Sequence, residues 1–159
     1  VCEVGPEQVT LVPDPPHVLT SNAGWTVTDH LDMLKDVLST FRVRDIRTSL
    51  FIETDQAQIE AAAAAGADRI ELYTESFAEK HTRIGREAAQ PYAQAAGWAH
   101  DAGLGVNAGH DLNLSNLRDF AESVPNLDEV SIGHALISDA LYLGLSNAVA
   151  QYRACLHTP

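Results

Sequence analysis

The sequence predicts an α/β protein of the TIM (β/α)8 barrel class, with this chain supplying about the last five βα units. Three observations predict it. β-rich runs alternate with helical periodicity five times within 159 residues. The β-rich runs are short and nearly continuous in apolar residues, as strands of a helix-covered parallel sheet are. Polar residues (Asp14, Glu53, Glu71, Asn107, His110 and His134) stand at the ends of successive runs, on the face where barrels carry their sites. A doubly wound sheet would give the same alternation. The chain has no GxGxxG and no Walker loop to favour it. A whole barrel takes about 250 residues, so residues 1–159 read as a single domain forming the C-terminal part of one.

The elements follow in order. Gln8 to Pro13 (QVTLVP) is a β-rich run. Leu31, Leu34, Leu38 and Phe41 fall on one face of a helix within Asp29–Phe41. Arg47–Glu53 (RTSLFIE) is a strand. The next helix is capped by Thr54 and Asp55, runs through alanines and stops at Gly66. Asp68–Glu75 is a strand. Ile84–Gly103 is helical, with Pro91 marking a break or a fresh start. Leu104–Gly109 is a strand. Leu114, Leu117, Phe120 and Val124 keep helical spacing behind an Asn113 cap. Glu129–Gly133 is the last strand and Asp139–Leu156 the last helix. Two connections read as long loops, Pro13–Trp25 and Thr74–Glu87, at strand ends where ligand-covering segments lie.

Composition narrows the function classes. Hydrophobic residues make up 45% and charged residues 20%, which is ordinary for a globular protein in water. The formal net charge is −12, which argues against nucleic acid or an anionic membrane surface as partner. An anionic ligand remains possible, held by backbone N–H groups and a few placed cations. No run of about 18 apolar residues marks a membrane span, and no basic-then-apolar leader precedes the first strand. Cys2 and Cys155 form no CxxC pair and are expected as free thiols of a reducing, cytoplasmic compartment.

Two Gly-His pairs carry the chemistry. Gly109-His110-Asp111 and Gly133-His134 follow the last two strands. In barrels the loops after strands 7 and 8 often bind phosphate, and glycine lets backbone N–H groups approach an anion. The plain alternative is that each histidine caps a strand end. Glu71 lies within the apolar run RIELY, where an unpaired charge is costly. It either stabilises a cationic intermediate or exchanges protons, or it is buried in a salt bridge with Arg47 or Arg69. Glu53 reads as an acid flanking the helix cap. Thr20 and Ser21 could bond substrate hydroxyls. Trp25, Trp98, Tyr92 and Phe120 read as packing. The remaining histidines show no ligand spacing, so no metal is expected. A Schiff-base aldolase needs a lysine at a strand tip, and the two lysines, Lys35 on a helix and Lys80 in a loop, do not supply one.

Taken together, VNAGHDLNLSNL, VSIGHALISDAL, TSLFIETDQAQIEAAAAAGADRIELYT and LVPDPP…LTSNAGW resemble the pyridoxine 5′-phosphate synthase family of vitamin B6 biosynthesis, in order along essentially the whole chain. The resemblance implies a transferase that condenses 1-deoxy-D-xylulose 5-phosphate with 3-amino-2-oxopropyl phosphate. The products are pyridoxine 5′-phosphate, phosphate and water, and no organic cofactor takes part. By resemblance His110 is the proton donor and Glu71 stabilises charged intermediates. Asp111, Gly133 and His134 bind the amino-ketone phosphate, and Thr20 contacts the sugar phosphate. Family members form homo-octamers, so a homo-oligomer is expected here, with small phosphorylated substrates as the other partners.

The sequence also departs from the family pattern. Asp111 stands where glycine is common, so its backbone N–H should face the anion with the carboxylate turned away. Asp14, Pro15 and Pro16 replace a basic stretch after the first strand. Tyr73 and Glu75 replace a histidine and a glycine. The family's first three strands, with a general-base glutamate, a catalytic histidine and several arginines, have no counterpart here. The chain alone is therefore expected to be inactive. The competing reading is a catalytically incomplete half-barrel that acts as a phosphate-binding or assembly module.

Overall fold

The computed structural model describes residues 1–15 and 21–156. Five strands, β1 (Gln8–Leu11), β2 (Arg47–Ile52), β3 (Arg69–Tyr73), β4 (Gly105–Gly109) and β5 (Leu127–Ser131), form one sheet in sequence order. Every neighbouring pair is parallel, with Glu71 opposite Phe51 on one side and Asn107 on the other. Parallel neighbours in sequence order need crossover connections, and the general right-handed rule for these puts the helices on one face. This is the arrangement of a partial TIM barrel.

The connecting helices are α1 (Leu31–Arg42), α2 (Gln56–Ala65), α3 (Glu75–Ile84), α4 (Gln90–Asp101), α5 (Leu117–Ser123), α6 (His134–Leu143) and α7 (Leu145–Leu156). Short 3-10 turns at Val27–Asp29 and Gly85–Ala89 precede α1 and α4. Alternate strand residues Leu50, Ile52, Ile70, Leu72, Val106 and Ala108 pack outward against Leu34, Leu38, Ile59, Phe77, Ala95 and Phe120 of the helices. Each large apolar side chain buried this way contributes about 1.5–3 kcal/mol. The alanine run of α2 buries Ala62 and Ala65 and lets that helix lie close to its neighbours. Pro91 occupies the first turn of α4, a fresh start, where its missing N–H costs nothing.

Local sequence sets the ends of α2. The Asp55 side chain accepts from Gln58 N–H, and Gly66 closes the helix at φ 88°. Asp55→Ala is expected to cost the full-length protein about 1 kcal/mol, read as a lowered urea midpoint with an unchanged slope.

The structure corrects several boundaries. The first strand ends at Leu11, not Pro13, and the last spans Leu127–Ser131 rather than Glu129–Gly133. Thr74–Glu87 is not a loop. Glu75–Ile84 is helical because Phe77 supplies a fully buried anchor, its ring 4.9 Å from Phe120 and 6.0 Å from Tyr92. Most of its polar residues are exposed, while His81 packs by Phe77 and meets Asp119 at 2.8 Å. Asn113 does not cap α5. It forms a side-chain turn onto Ser115 N–H, and the helix starts after Asn116. The last helix begins early, at His134, and breaks at Gly144 (φ 78°) into α6 and α7.

α6 buries no side chain fully, and Ile137, Leu141 and Tyr142 are exposed. Both cysteines are free thiols. Among the described residues no helix is long and apolar enough to cross a membrane.

Candidate functional site at the strand ends

The sheet face away from the helices is polar, which the apolar runs did not foretell. Strand period 2 sends Thr10, Ser49, Glu71, Asn107 and Ser131 to that face. Near the strand starts, Arg47 pairs with Glu129 at 2.7 Å, and its Nε donates to the Gln8 side-chain Oε1 at 2.7 Å. The Gln8 amide also donates to Glu129 at 3.2 Å, so the sheet curls until its first and last strands touch. Arg69 donates to Asn107 Oδ1 at 2.8 Å and lies 3.5 Å from both Asp128 and Glu129. Both arginines are thus committed to carboxylates other than Glu71, and the salt bridge of Glu71 with Arg47 or Arg69 does not form among the described residues.

Glu71 is 7% exposed. Thr10 Oγ1 donates to it at 2.9 Å from β1, and Ser131 donates from β5. Burial raises its carboxyl above the usual carboxylate range. Those two hydrogen bonds and the nearby His110 pull the other way, while Glu129 adds to the rise. A carboxyl so placed is poised for proton exchange or for meeting a developing positive charge.

The C-terminal tips complete the site. Tyr73 and Gly109 end adjacent strands, and Thr74 Oγ1 donates to the Gly109 carbonyl at 2.6 Å, tying the tips together. His110 follows with φ 102°, a backbone state that costs a residue with a side chain on the order of 1–3 kcal/mol and gathers at functional sites. Its N–H donates to Ser131 O at 3.3 Å, and its ring meets the Tyr73 ring edge-on at 5.2 Å. Asp111 does not simply turn away, because Oδ2 lies 2.7 Å from His110 Nδ1. Gly133 and His134 begin α6 two residues beyond Ser131, which pairs with Gly109. The two Gly-His pairs therefore occupy neighbouring strand ends. Among the described residues no atom lies within 4 Å of a Cβ placed at Gly133, so that backbone at a helix N-terminus is open to a ligand.

The rim is acidic. Tyr73 donates to Glu75 at 2.7 Å, and burial, then Glu75, pushes its hydroxyl well above the ordinary tyrosine value. Burial, then Glu75, also raises Glu53, against a hydrogen bond from Gly24 N–H. Gly24 itself presses on β2, since a Cβ there would lie 2.5 Å from Ile52 Cα. The loop end is further fixed by Trp25, whose backbone N–H reaches Phe51 O at 2.8 Å and whose indole reaches Leu11 O at 3.0 Å. Ser21 donates to Asp14. Thr20 lies outside the described residues. Tyr92 sits behind the tip, donating to Tyr73 O at 3.0 Å, with its hydroxyl pushed up to about 12 by burial.

Sequence reasoning missed Thr10, Thr74 and Ser131. The signal was present: each is a hydroxyl on a strand or strand tip beside Glu71 or Gly109, in register with them. Gly109 is required for packing as well. A Cβ there would lie 2.7 Å from Ser131 O and 2.8 Å from Glu71 Oε1. Gly109→Ala in the full-length protein is expected to destabilise by about 1–3 kcal/mol, the usual cost of overpacking, and to lower activity by displacing Glu71. A thermal melt and a rate assay check both.

Curled parallel strands, outer helices and a cluster of Glu71, His110 and the two Gly-His loops at the C-terminal tips define a protein of the TIM-barrel class. Comparison with known proteins then gives the family. The model of the pyridoxal phosphate biosynthesis protein PdxJ family matches residues 1–158, and the chain belongs to that family. It is 59% identical over 151 residues to the pyridoxine 5′-phosphate synthase of Porphyromonas gingivalis, covering 95% of this chain and 63% of the relative. It is 55% identical to that of Christiangramia forsetii (96% and 64%) and 54% identical to that of Parabacteroides distasonis (99% and 66%). The chain thus spans just under two thirds of the length of these curated relatives.

Proposed function

We propose that the protein containing this chain is a pyridoxine 5′-phosphate synthase. It condenses 1-deoxy-D-xylulose 5-phosphate with 3-amino-2-oxopropyl phosphate, releasing phosphate and water as the pyridine ring closes, without an organic cofactor. The observation that carries the reading is the buried Glu71 carboxyl on β3 beside His110 at the tip of β4. The names of the relatives agree with it.

In this reading His110 donates a proton to a leaving oxygen, and Glu71 stabilises the cationic intermediates that form at the amine-derived nitrogen. The Asp111 N–H, Gly133 and His134 hold the amino-ketone phosphate at the start of α6, where the helix dipole favours an anion. Thr20 contacts the sugar phosphate. Arg47 and Arg69 are engaged at the other end of the strands, so the remaining cationic contacts come from other parts of the barrel. The protein acts in the cytoplasm. Exposed Ile137, Leu141 and Tyr142 support assembly into a homo-oligomer, an octamer by family resemblance.

The test is an assay of the full-length protein with both substrates and no added cofactor, reading pyridoxine 5′-phosphate by mass and absorbance. Product that requires both substrates supports the reading. Its absence from folded full-length protein overturns it.

A further inference from the structure

In an extended chain, neighbouring side chains point to opposite faces. His110 and Asp111 break this rule. The positive φ of His110 turns the chain at the end of β4, so that consecutive side chains meet, Nδ1 to Oδ2, at 2.7 Å. The arrangement is braced from both sides. On one side the His110 N–H is held by Ser131 O, and the ring packs edge-on against Tyr73. On the other, the Asp111 carbonyl accepts from the buried Asn116 amide at 3.2 Å, and Asn116 Oδ1 accepts from Asn113 N–H at 2.8 Å. The turn that presents the carboxylate is therefore a built feature of the loop.

We propose that Asp111 is a positioning residue that fixes the tautomer and orientation of His110. An ionised carboxylate only accepts hydrogen bonds, so the contact places a proton on Nδ1. Nε2 is then the nitrogen that gives and regains the exchanged proton. When Nε2 has donated, the neutral ring left behind is the Nδ1–H tautomer, which Asp111 stabilises, and no proton passes to Asp111 itself. The logic is that of an acid–base histidine oriented by a carboxylate, made here by an adjacent residue. The proposal rests on the proposed synthase reading for its effect on rate, though not for its effect on the ring.

The test uses full-length protein with nitrogen-15-labelled histidine. In the parent protein the neutral His110 ring should give the Nδ1–H pattern. Asp111→Gly keeps the backbone N–H and removes the carboxylate. It should shift the ring toward the Nε2–H form and lower kcat about 10- to 100-fold, a fraction of the full effect of a general acid, with KM for both substrates nearly unchanged. Asp111→Asn, whose amide oxygen can still accept from Nδ1–H, should restore the tautomer and much of kcat. An unchanged ring spectrum in a folded Asp111→Gly variant would overturn the proposal. So would a raised KM with unchanged kcat, which would make Asp111 an anion-site residue only. If the parent protein forms no pyridoxine 5′-phosphate, the functional reading fails, and the spectrum alone then decides the tautomer: Nδ1–H supports the positioning role and Nε2–H overturns it.

Discussion

Full-length protein carrying His110→Asn is expected to fold as the parent does and to lose turnover by about 10²- to 10⁴-fold, the usual contribution of a positioned general acid. Asparagine is the informative replacement because of the backbone. His110 sits at φ 102°, and asparagine tolerates positive φ better than most residues with side chains. Its amide cannot deliver a proton at neutral pH, yet it can still hydrogen bond to Asp111. Stability should therefore hold while the rate falls. The measurement pairs kcat with a thermal midpoint. Near-normal turnover would remove His110 from the chemistry, whereas a fall in both would show that the residue matters chiefly for the tip of β4.

Glu71→Gln should separate stability from activity in the opposite direction. Burial raises the Glu71 carboxyl above its ordinary value of 4.5 despite the hydrogen bonds from Thr10 and Ser131. The folded protein thus binds this proton more tightly than the unfolded chain. Its contribution to stability is fully present below pH 4.5. It is lost as pH rises through the raised folded value, so that at neutral pH the buried charge is a net cost. Glutamine removes the charge and can accept from Thr10. We expect Glu71→Gln to be more stable than the parent at pH 7 and to lose the decline in stability that the parent shows as pH rises above 4.5. Turnover should fall about 100-fold or more, as for loss of a group that balances charge in a dry site. Denaturation midpoints across pH, with rates on the same samples, check it. A destabilised variant at pH 7 would show that the carboxylate gains more from its partners than burial costs.

The strong periodicities were legible. Leu34, Leu38 and Phe41 on α1, the Asp55 cap and the Gly66 stop of α2 follow from local rules that tertiary packing did not override. α3 is not legible as a helix because its buried face rests on Phe77 alone, too sparse a pattern for a periodicity argument. The start of the last helix is hidden because Gly133 and His134 continue the apolar run of the strand in sequence, although Gly133 sits at the helix cap. Glu71 and the histidine tips stood out as polar residues in apolar company. Their supports did not, since Thr10, Thr74 and Ser131 look like ordinary hydroxyl residues until register sets them beside a carboxylate. The partners of Arg47 and Arg69 were beyond reach for a similar reason. Asp128 and Glu129 lie some sixty to eighty residues away in sequence and become neighbours only once the sheet curls.

That curl has a consequence for how the protein fails under stress. Glu71 sits in the middle strand, but its two donors come from β1 and β5, the outermost strands of the described sheet. Single strands open locally at a free energy well below that of global unfolding. When either of these two strands opens, Glu71 loses a hydrogen bond and its proton affinity rises further. Catalysis should therefore fade before the helices melt. On heating, activity would fall at a lower temperature than ellipticity, and amide exchange at Thr10 and Ser131 would speed up in step with that fall.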